Sequence, residues 1–162
     1  MTMPAQKPGK SFQAYRTPTA FLDAVRRRLQ IANFTIDLAA DAENKVTDAY
    51  YSEANSAFDN PWNVGQENGV YGWAWCNPPF ARIEPWASQA YVEGFRCNIA
   101  MLLPAAVGAN WWRDWVDRRA CVLFLNGRLS FDGKAPYPKD CALLLYGPAV
   151  VPGYAVWDWR QS

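Results

Sequence analysis

The chain has 162 residues, 51% hydrophobic and 19% charged, a balance that argues for a folded globular protein and against a disordered one. Its formal net charge of +1 gives no bulk attraction for nucleic acid, so any DNA or RNA contact must come from a local basic patch. There is no His, and Cys76, Cys97, Cys121 and Cys141 are scattered without a C-x-x-C pair, which excludes the usual zinc patterns and a histidine general base and leads us to expect a reduced, cytoplasmic setting.

The length suits one domain, at about 100–200 residues per domain. No charged-apolar-small leader opens the chain, and no apolar run approaches the roughly 18–20 residues of a membrane span, so neither export nor membrane insertion is expected. Residues 1–14 lack periodicity and are expected to form a flexible arm before a single domain over 15–162. Thr17-Pro18 is a helix start, with Thr as N-cap and Pro at the first helical position, and Phe21, Val25 and Leu29 follow at four-residue spacing. Arg26, Arg27 and Arg28 fall on or beside the other face, as solvated charges or as a phosphate-contacting patch. Phe34 to Leu38 is a short strand running into Asp37-Leu38-Ala39-Ala40-Asp41. A long irregular connection, Tyr50 to Gly72, leads to a second strand over Gly72 to Cys76.

Glu84 to Phe95 reads as a helix burying Trp86, Ala90 and Tyr91, Asn98 to Leu103 as a strand closed by Pro104, and Gly108 to Arg119 as a tryptophan-rich helix. Cys121 to Leu125 is a buried strand, and Asn126-Gly127 is a hairpin signal that would pair it with Arg128 to Phe131. Cys141 to Tyr146 is a further strand, and Tyr154 to Trp159 adds a last edge. The alternation predicts an α/β fold, a mostly parallel sheet with an antiparallel C-terminal edge. Ligands bind such sheets outside the carboxyl ends of the strands, where Asp37 and Asn77 both fall.

The most informative segment is Trp75-Cys76-Asn77-Pro78-Pro79-Phe80. The Asn77 carbonyl and the carbonyl of Pro78 can accept the two N–H bonds of a planar amino group, and Phe80 can stack on the ring that bears it. Two prolines stiffen the turn in advance, and acceptors already aimed at a reacting nitrogen are a catalytic device. A carboxylate at Asp37 can meet a ligand ammonium or ribose hydroxyls, with Ala39 and Ala40 small enough for close approach; an N-capping Asp before helix-forming alanines is the other reading.

In this order the residues resemble the small phage- and prophage-type adenine-N6 DNA methyltransferases. The resemblance runs from Arg16-Thr17-Pro18 through Ile36-Asp37-Leu38-Ala39-Ala40, Asn44, Tyr50-Tyr51, Ser56-Ala57-Phe58 and Trp62 to Trp75–Phe80, Ile83 and Trp86. It continues through Leu102-Leu103-Pro104-Ala105, Gly127–Phe131 and Pro138-Lys139, with Phe80 where Tyr is commoner. It implies a Rossmann-like fold using S-adenosylmethionine, without a metal, to methylate N6 of an adenine flipped out of duplex DNA or single-stranded, in the cytoplasm of a bacterial host. It implies catalytic roles for Asn77, Pro78, Pro79 and Phe80, and a cofactor site at Thr17, Pro18, Asp37, Leu38, Ala39 and Ala40. Arg82, Arg128 and Lys139 flank motif segments and are the expected DNA phosphate contacts. Asn-Pro-Pro-aromatic turns also serve methyltransferases acting on RNA adenine or protein glutamine, and a silent DNA- or partner-binding module of the same fold is a further alternative.

Overall fold

Two runs of six consecutive residues, each of them buried, form strands covered on both faces in the middle of this molecule. The structure is a computed structural model that describes residues 16–66, 72–131 and 133–162; the expected arm at 1–14 lies outside them. In chain order the elements are α1 (Thr19–Leu29), β1 (Ile36–Asp37), a 3-10 turn (Ala57–Asp59), β2 (Ala74–Cys76), α2 (Ile83–Glu93), β3 (Ile99–Pro104), α3 (Asn110–Trp115), β4 (Cys121–Leu125), β5 (Cys141–Tyr146) and β6 (Gly153–Trp157). The strands form one sheet in the order β1-β2-β3-β5-β4-β6.

Five strands run the same way and β5 opposes them, giving a mixed α/β sheet that is mostly parallel. The antiparallel strand is therefore internal, between β3 and β4, and the edge strand β6 is parallel to β4, which corrects the expected antiparallel C-terminal edge. Burial explains the exchange. Every residue of β5 is buried, whereas four of the five residues of β6 are exposed, so β5 takes the position with two neighbours and β6 the rim.

Alternation along the strands divides the core. Trp75, Ala100, Leu102, Leu123, Leu143 and Leu145 pack toward Phe21, Leu22 and Val25 of α1. Their neighbours Cys76, Met101, Leu103, Val122, Ala142 and Leu144 pack on the other face, against Ala87 and Ala90 of α2 and Trp112 of α3. The result is three layers, with α1 on one side of the sheet and α2 and α3 on the other.

Arg128 to Phe131 does not form the expected hairpin strand. Both edges of β4 are already occupied by β5 and β6, and Asn126 N–H donates to the Trp157 carbonyl at 2.9 Å, so the chain leaves the sheet at Gly127 (φ +110°). The C-terminal turn of α1 ends on Gln30 in the left-handed region, and its three arginines are used internally. Arg26 pairs with Asp23 at 3.0 Å, Arg27 donates to the Ser162 carbonyl at 2.8 Å, and Arg28 lies over Trp157 at 5.1 Å. Arg27 and Arg28 stay exposed and Arg26 partly so, which agrees with the solvated reading of this triplet.

The connection between β1 and β2 is fastened to the sheet by Gln66. Its Oε1 accepts from the Asn98 N–H at 2.8 Å and its Nε2 donates to the Asn98 carbonyl at 3.0 Å, both inside the protein. Gln66→Ala removes both of these buried hydrogen bonds and should lower unfolding free energy by about 1–3 kcal/mol. Urea unfolding measures this, and an unchanged midpoint would show that the connection is held in place without Gln66.

Candidate active site

The carboxyl ends of β1, β2 and β3 lie side by side, and the residues that leave them form one surface. β1 ends at Asp37, whose side chain is 3% exposed. Its Oδ1 accepts from the Ala39 N–H at 3.2 Å and its Oδ2 from the Val46 N–H at 3.1 Å. Its backbone is bonded as well, N–H to the Ala49 carbonyl and carbonyl to the Tyr51 N–H. Asp37 thus organises the loop that follows it, and no helix begins there for it to cap. Burial pushes its carboxyl up to about 6, with the two N–H donors opposing the shift and Asp41 adding slightly to it. Leu38 and Ala40 are buried beside it, while Ala39, Thr17 and Pro18 are partly exposed.

The chain just before α1 lies across this surface. Arg16 donates from its guanidinium to the Glu43 carbonyl, and Thr17 Oγ1 accepts a hydrogen bond from Asn77 Nδ2 at 3.0 Å. Thr17 is therefore not the helix N-cap. Pro18 holds that position, its carbonyl accepting from the N–H groups of Phe21 and Leu22, and the threonine hydroxyl serves a partner sixty residues away. Sequence spacing gives no sign of that partnership, since Thr-Pro before an apolar run is a sufficient helix signal by itself.

Asn77 follows β2 directly. With Nδ2 held by Thr17, its Oδ1 faces away from that bond, and neither Oδ1 nor the Pro78 carbonyl accepts a hydrogen bond from any described residue. Pro78 is buried, whereas Asn77, Pro79 and Phe80 are partly exposed. The pair of unfilled acceptors sits on a segment that two prolines keep from rearranging.

Phe80 borders a cleft of about 860 Å³ between the start of α2, the end of β3, the start of α3 and the loop over 126–140. It meets Tyr137 edge-on at 5.7 Å and Phe131 at 6.2 Å, and those two rings meet each other at 5.6 Å. Arg128 and Lys139 line the same cleft, with Trp111. Arg128 is paired with Asp140 at 3.1 Å, while Lys139 makes no ion pair among the described residues. Arg82 is exposed, also without an ion pair among the described residues, and lines a second, smaller cleft beyond Pro79. The structure so joins Thr17 to Asn77, three residues before Phe80, and divides the three expected cations between two clefts.

Tyr137 and Trp111 were not singled out from the sequence. Pro136-Tyr137-Pro138 carries a usable hint, an aromatic ring fixed between two prolines, but its nearness to Phe80 depends on tertiary contacts. Among the described residues no group of His, Cys, Asp or Glu is placed to hold a metal ion, and no helix is long and apolar enough to cross a membrane.

An α/β sheet with an Asn-Pro-Pro-Phe turn at its carboxyl edge, an aromatic cleft beside that turn and two unfilled acceptors upon it is an arrangement suited to amino-group chemistry. Comparison of sequences gives the class directly: residues 5–141 match the family described as DNA N-6-adenine-methyltransferase (Dam), and the chain belongs to that family. A curated DNA N-6-adenine-methyltransferase of Escherichia phage T1 is 24% identical over 133 residues, which cover 76% of this chain. The chain spans about half the length of that relative, 53%.

The raised Asp37 value sets a pH dependence. A carboxyl that titrates at about 6 when folded, above its ordinary 3.8, contributes stability that is full below about pH 4 and is lost as pH rises through about 6. Over that window unfolding free energy should fall by about 2–3 kcal/mol on account of this group. Asp37→Asn should flatten the slope, and carboxyl NMR of the wild type showing Asp37 titrating near 4 would contradict it.

Proposed function

We propose that the protein transfers a methyl group from S-adenosylmethionine to the N6 amino group of adenine in DNA, in the cytoplasm of a bacterial host, on a Rossmann-like methyltransferase sheet. The observation that carries this reading is the hydrogen bond from Asn77 Nδ2 to Thr17 Oγ1. It fixes the carboxamide so that Oδ1 can only accept, next to a Pro78 carbonyl that is also unfilled. An exocyclic amine has two N–H groups to give, and these are two acceptors in a rigid turn.

Adenine N6 is a poor nucleophile because its lone pair is delocalised into the ring. Accepting both hydrogens at Asn77 and Pro78 favours a pyramidal nitrogen, whose lone pair is then localised and directed at the methyl carbon. S-adenosylmethionine supplies that methyl group in electrophilic form when bound. Holding the two reactants in line supplies much of the acceleration, and the proton displaced from nitrogen leaves to water. No strong base is required, which suits a chain without His.

The amino group is inaccessible inside a duplex, so the adenine is taken out of the stack or offered by a single strand. Phe80 is the ring on which it rests, with Tyr137 and Phe131 bracing Phe80 from the side. Arg128 and Lys139 at the same cleft, and Arg82 across the turn, are placed for backbone phosphates. For the cofactor, the residues of the β1 surface fit in one respect and limit the fit in another. Thr17, Pro18 and Ala39 offer partly exposed contacts, whereas Leu38 and Ala40 are covered and the Asp37 oxygens already hold two N–H groups. Asp37, Leu38 and Ala40 therefore act through the shape they give the loop.

Incubation with labelled S-adenosylmethionine and unmethylated DNA, followed by digestion to nucleosides, should yield N6-methyladenine. Asn77→Ala should abolish turnover and leave DNA binding nearly unchanged, the pattern of an interaction made mainly in the transition state. Methylcytosine alone, or an active Asn77→Ala, would overturn the mechanism.

Thr17 is a positioning residue on this reading. Thr17→Val removes the acceptor for Asn77 Nδ2 and should lower kcat about two- to tenfold, the equivalent of one neutral hydrogen bond, with KM for DNA little changed. Thr17→Ser should restore kcat. A purely structural threonine would give equal kcat in all three proteins, or a loss that serine does not rescue.

A further inference from the structure

The turn that bears Asn77 has a cleft on each side. Adjacent residues of one rigid segment part company: Phe80 lines the 860 Å³ cleft, while Pro79 and Ala81 line another of about 440 Å³. Phe58, Arg82, Pro85 and Trp86 complete this second cleft.

Its rings are held in advance of any ligand. Phe58 and Trp86 meet at 4.6 Å with their planes at 61°, and both lean on the fully buried Trp62 at 6.5 and 6.1 Å. Trp62 is in turn tied down, its Nε1–H donating to the Ala57 carbonyl at 2.8 Å. Ser56 accepts the Phe58 N–H at its Oγ, and Asn60 donates to the Ser56 carbonyl at 2.7 Å, so the short turn carrying Phe58 is braced from within. Phe58 nevertheless remains 43% exposed. A phenyl ring fixed in solvent beside a half-buried indole, with prolines for walls and an exposed guanidinium at the rim, has the chemistry of a site for a flat heteroaromatic ring.

We infer that the cleft walled by the Phe58–Trp86 pair, Pro79, Ala81, Arg82 and Pro85 is a second nucleobase site, placed across the Pro79–Phe80 partition from the site of the target adenine. The inference rests on the proposed methyl transfer and adds a subsite to it. Two sources can supply such a ring there: the adenosine half of the methyl donor, or a nucleotide flanking the target in DNA, whose phosphate Arg82 would meet. The stacking chemistry is shared by both.

Calorimetry with two probes, measured separately, tests it: S-adenosylhomocysteine without DNA, and an adenine-containing single-stranded oligonucleotide without cofactor. Phe58→Ala should weaken one of them by roughly five- to hundredfold, the range for losing one stacked aromatic, and Phe58→Tyr should bind as wild type does. A loss confined to S-adenosylhomocysteine assigns the ring to the donor, and a loss confined to the oligonucleotide assigns it to DNA. Loss of both makes the cleft serve each in turn and still supports a nucleobase site. In the wild type, the indole N–H resonance of Trp86, assigned by its absence in Trp86→Phe, should shift with whichever probe uses the cleft, which tests the site without altering Phe58. If wild type binds the probes while Phe58→Ala binds both equally well and Trp86 does not shift, this inference is overturned and the methyl transfer reading stands. If wild type binds neither, both fail.

Discussion

The six-residue register between β3 and β5 is the constraint from which the rest of the site follows. Ile99 opposes Tyr146 and Pro104 opposes Cys141, with every residue of both strands buried. Sliding this pair by one residue would move every side chain into the opposite layer, so the register is held by the fit of side-chain shapes against α1 on one face and α2 and α3 on the other. The lock fixes Pro104 beside Cys141, and the chain continues the pairing one step further, with Ala105 N–H donating to the Asp140 carbonyl at 2.9 Å. Tyr137, Pro138 and Lys139 are thereby brought over the end of β3, opposite Phe80. On its other side β3 holds β2, which carries Asn77 at its end. Two segments sixty residues apart in the chain face each other because of one buried ladder.

Much of the architecture was legible in the sequence. Cys121–Leu125 and Cys141–Tyr146 match the expected strands at both ends, because each is a continuous apolar run between turn residues. The order of the sheet was less legible. Periodicity tells which residues are buried but not which neighbour covers them, so the position of β5 inside the sheet and the absence of a strand at Arg128 to Phe131 depended on competition for the edges of β4. Helix ends shifted for similar reasons: α3 closes at Trp115, well before Arg119, and α2 opens at Ile83.

The candidate site divides in the same manner. The stiffness of Asn77-Pro78-Pro79-Phe80 and its place after a strand are local properties, and local properties can be read from sequence. What Thr17, Asp37 and Tyr137 do depends on partners far along the chain. Thr17 looked like a cap and is a hydrogen-bond acceptor for Asn77; Asp37 looked like a ligand contact and has both oxygens bonded to the backbone of its own loop. In each case a polar atom found a nearer or better donor once the chain had folded, and a buried polar atom has little freedom to decline one.

The sheet is also uneven in thickness. Among the described residues β1, two residues long, pairs with β2 and with an isolated bridge at Tyr50, whereas β3 and β5 share six pairs deep in the molecule. Opening free energy follows such differences, and the β1 edge, with two register pairs to β2 against five between β4 and β6, has the shortest ladder in the sheet to break. The loop organised by Asp37 hangs from that edge. A ligand bound against it would therefore raise the free energy of this local opening, so amide exchange near Asp37 would register occupancy directly, whereas β3 and β5 would slow only where they exchange through global unfolding. The short strand makes the site a separately breathing unit on a fixed frame.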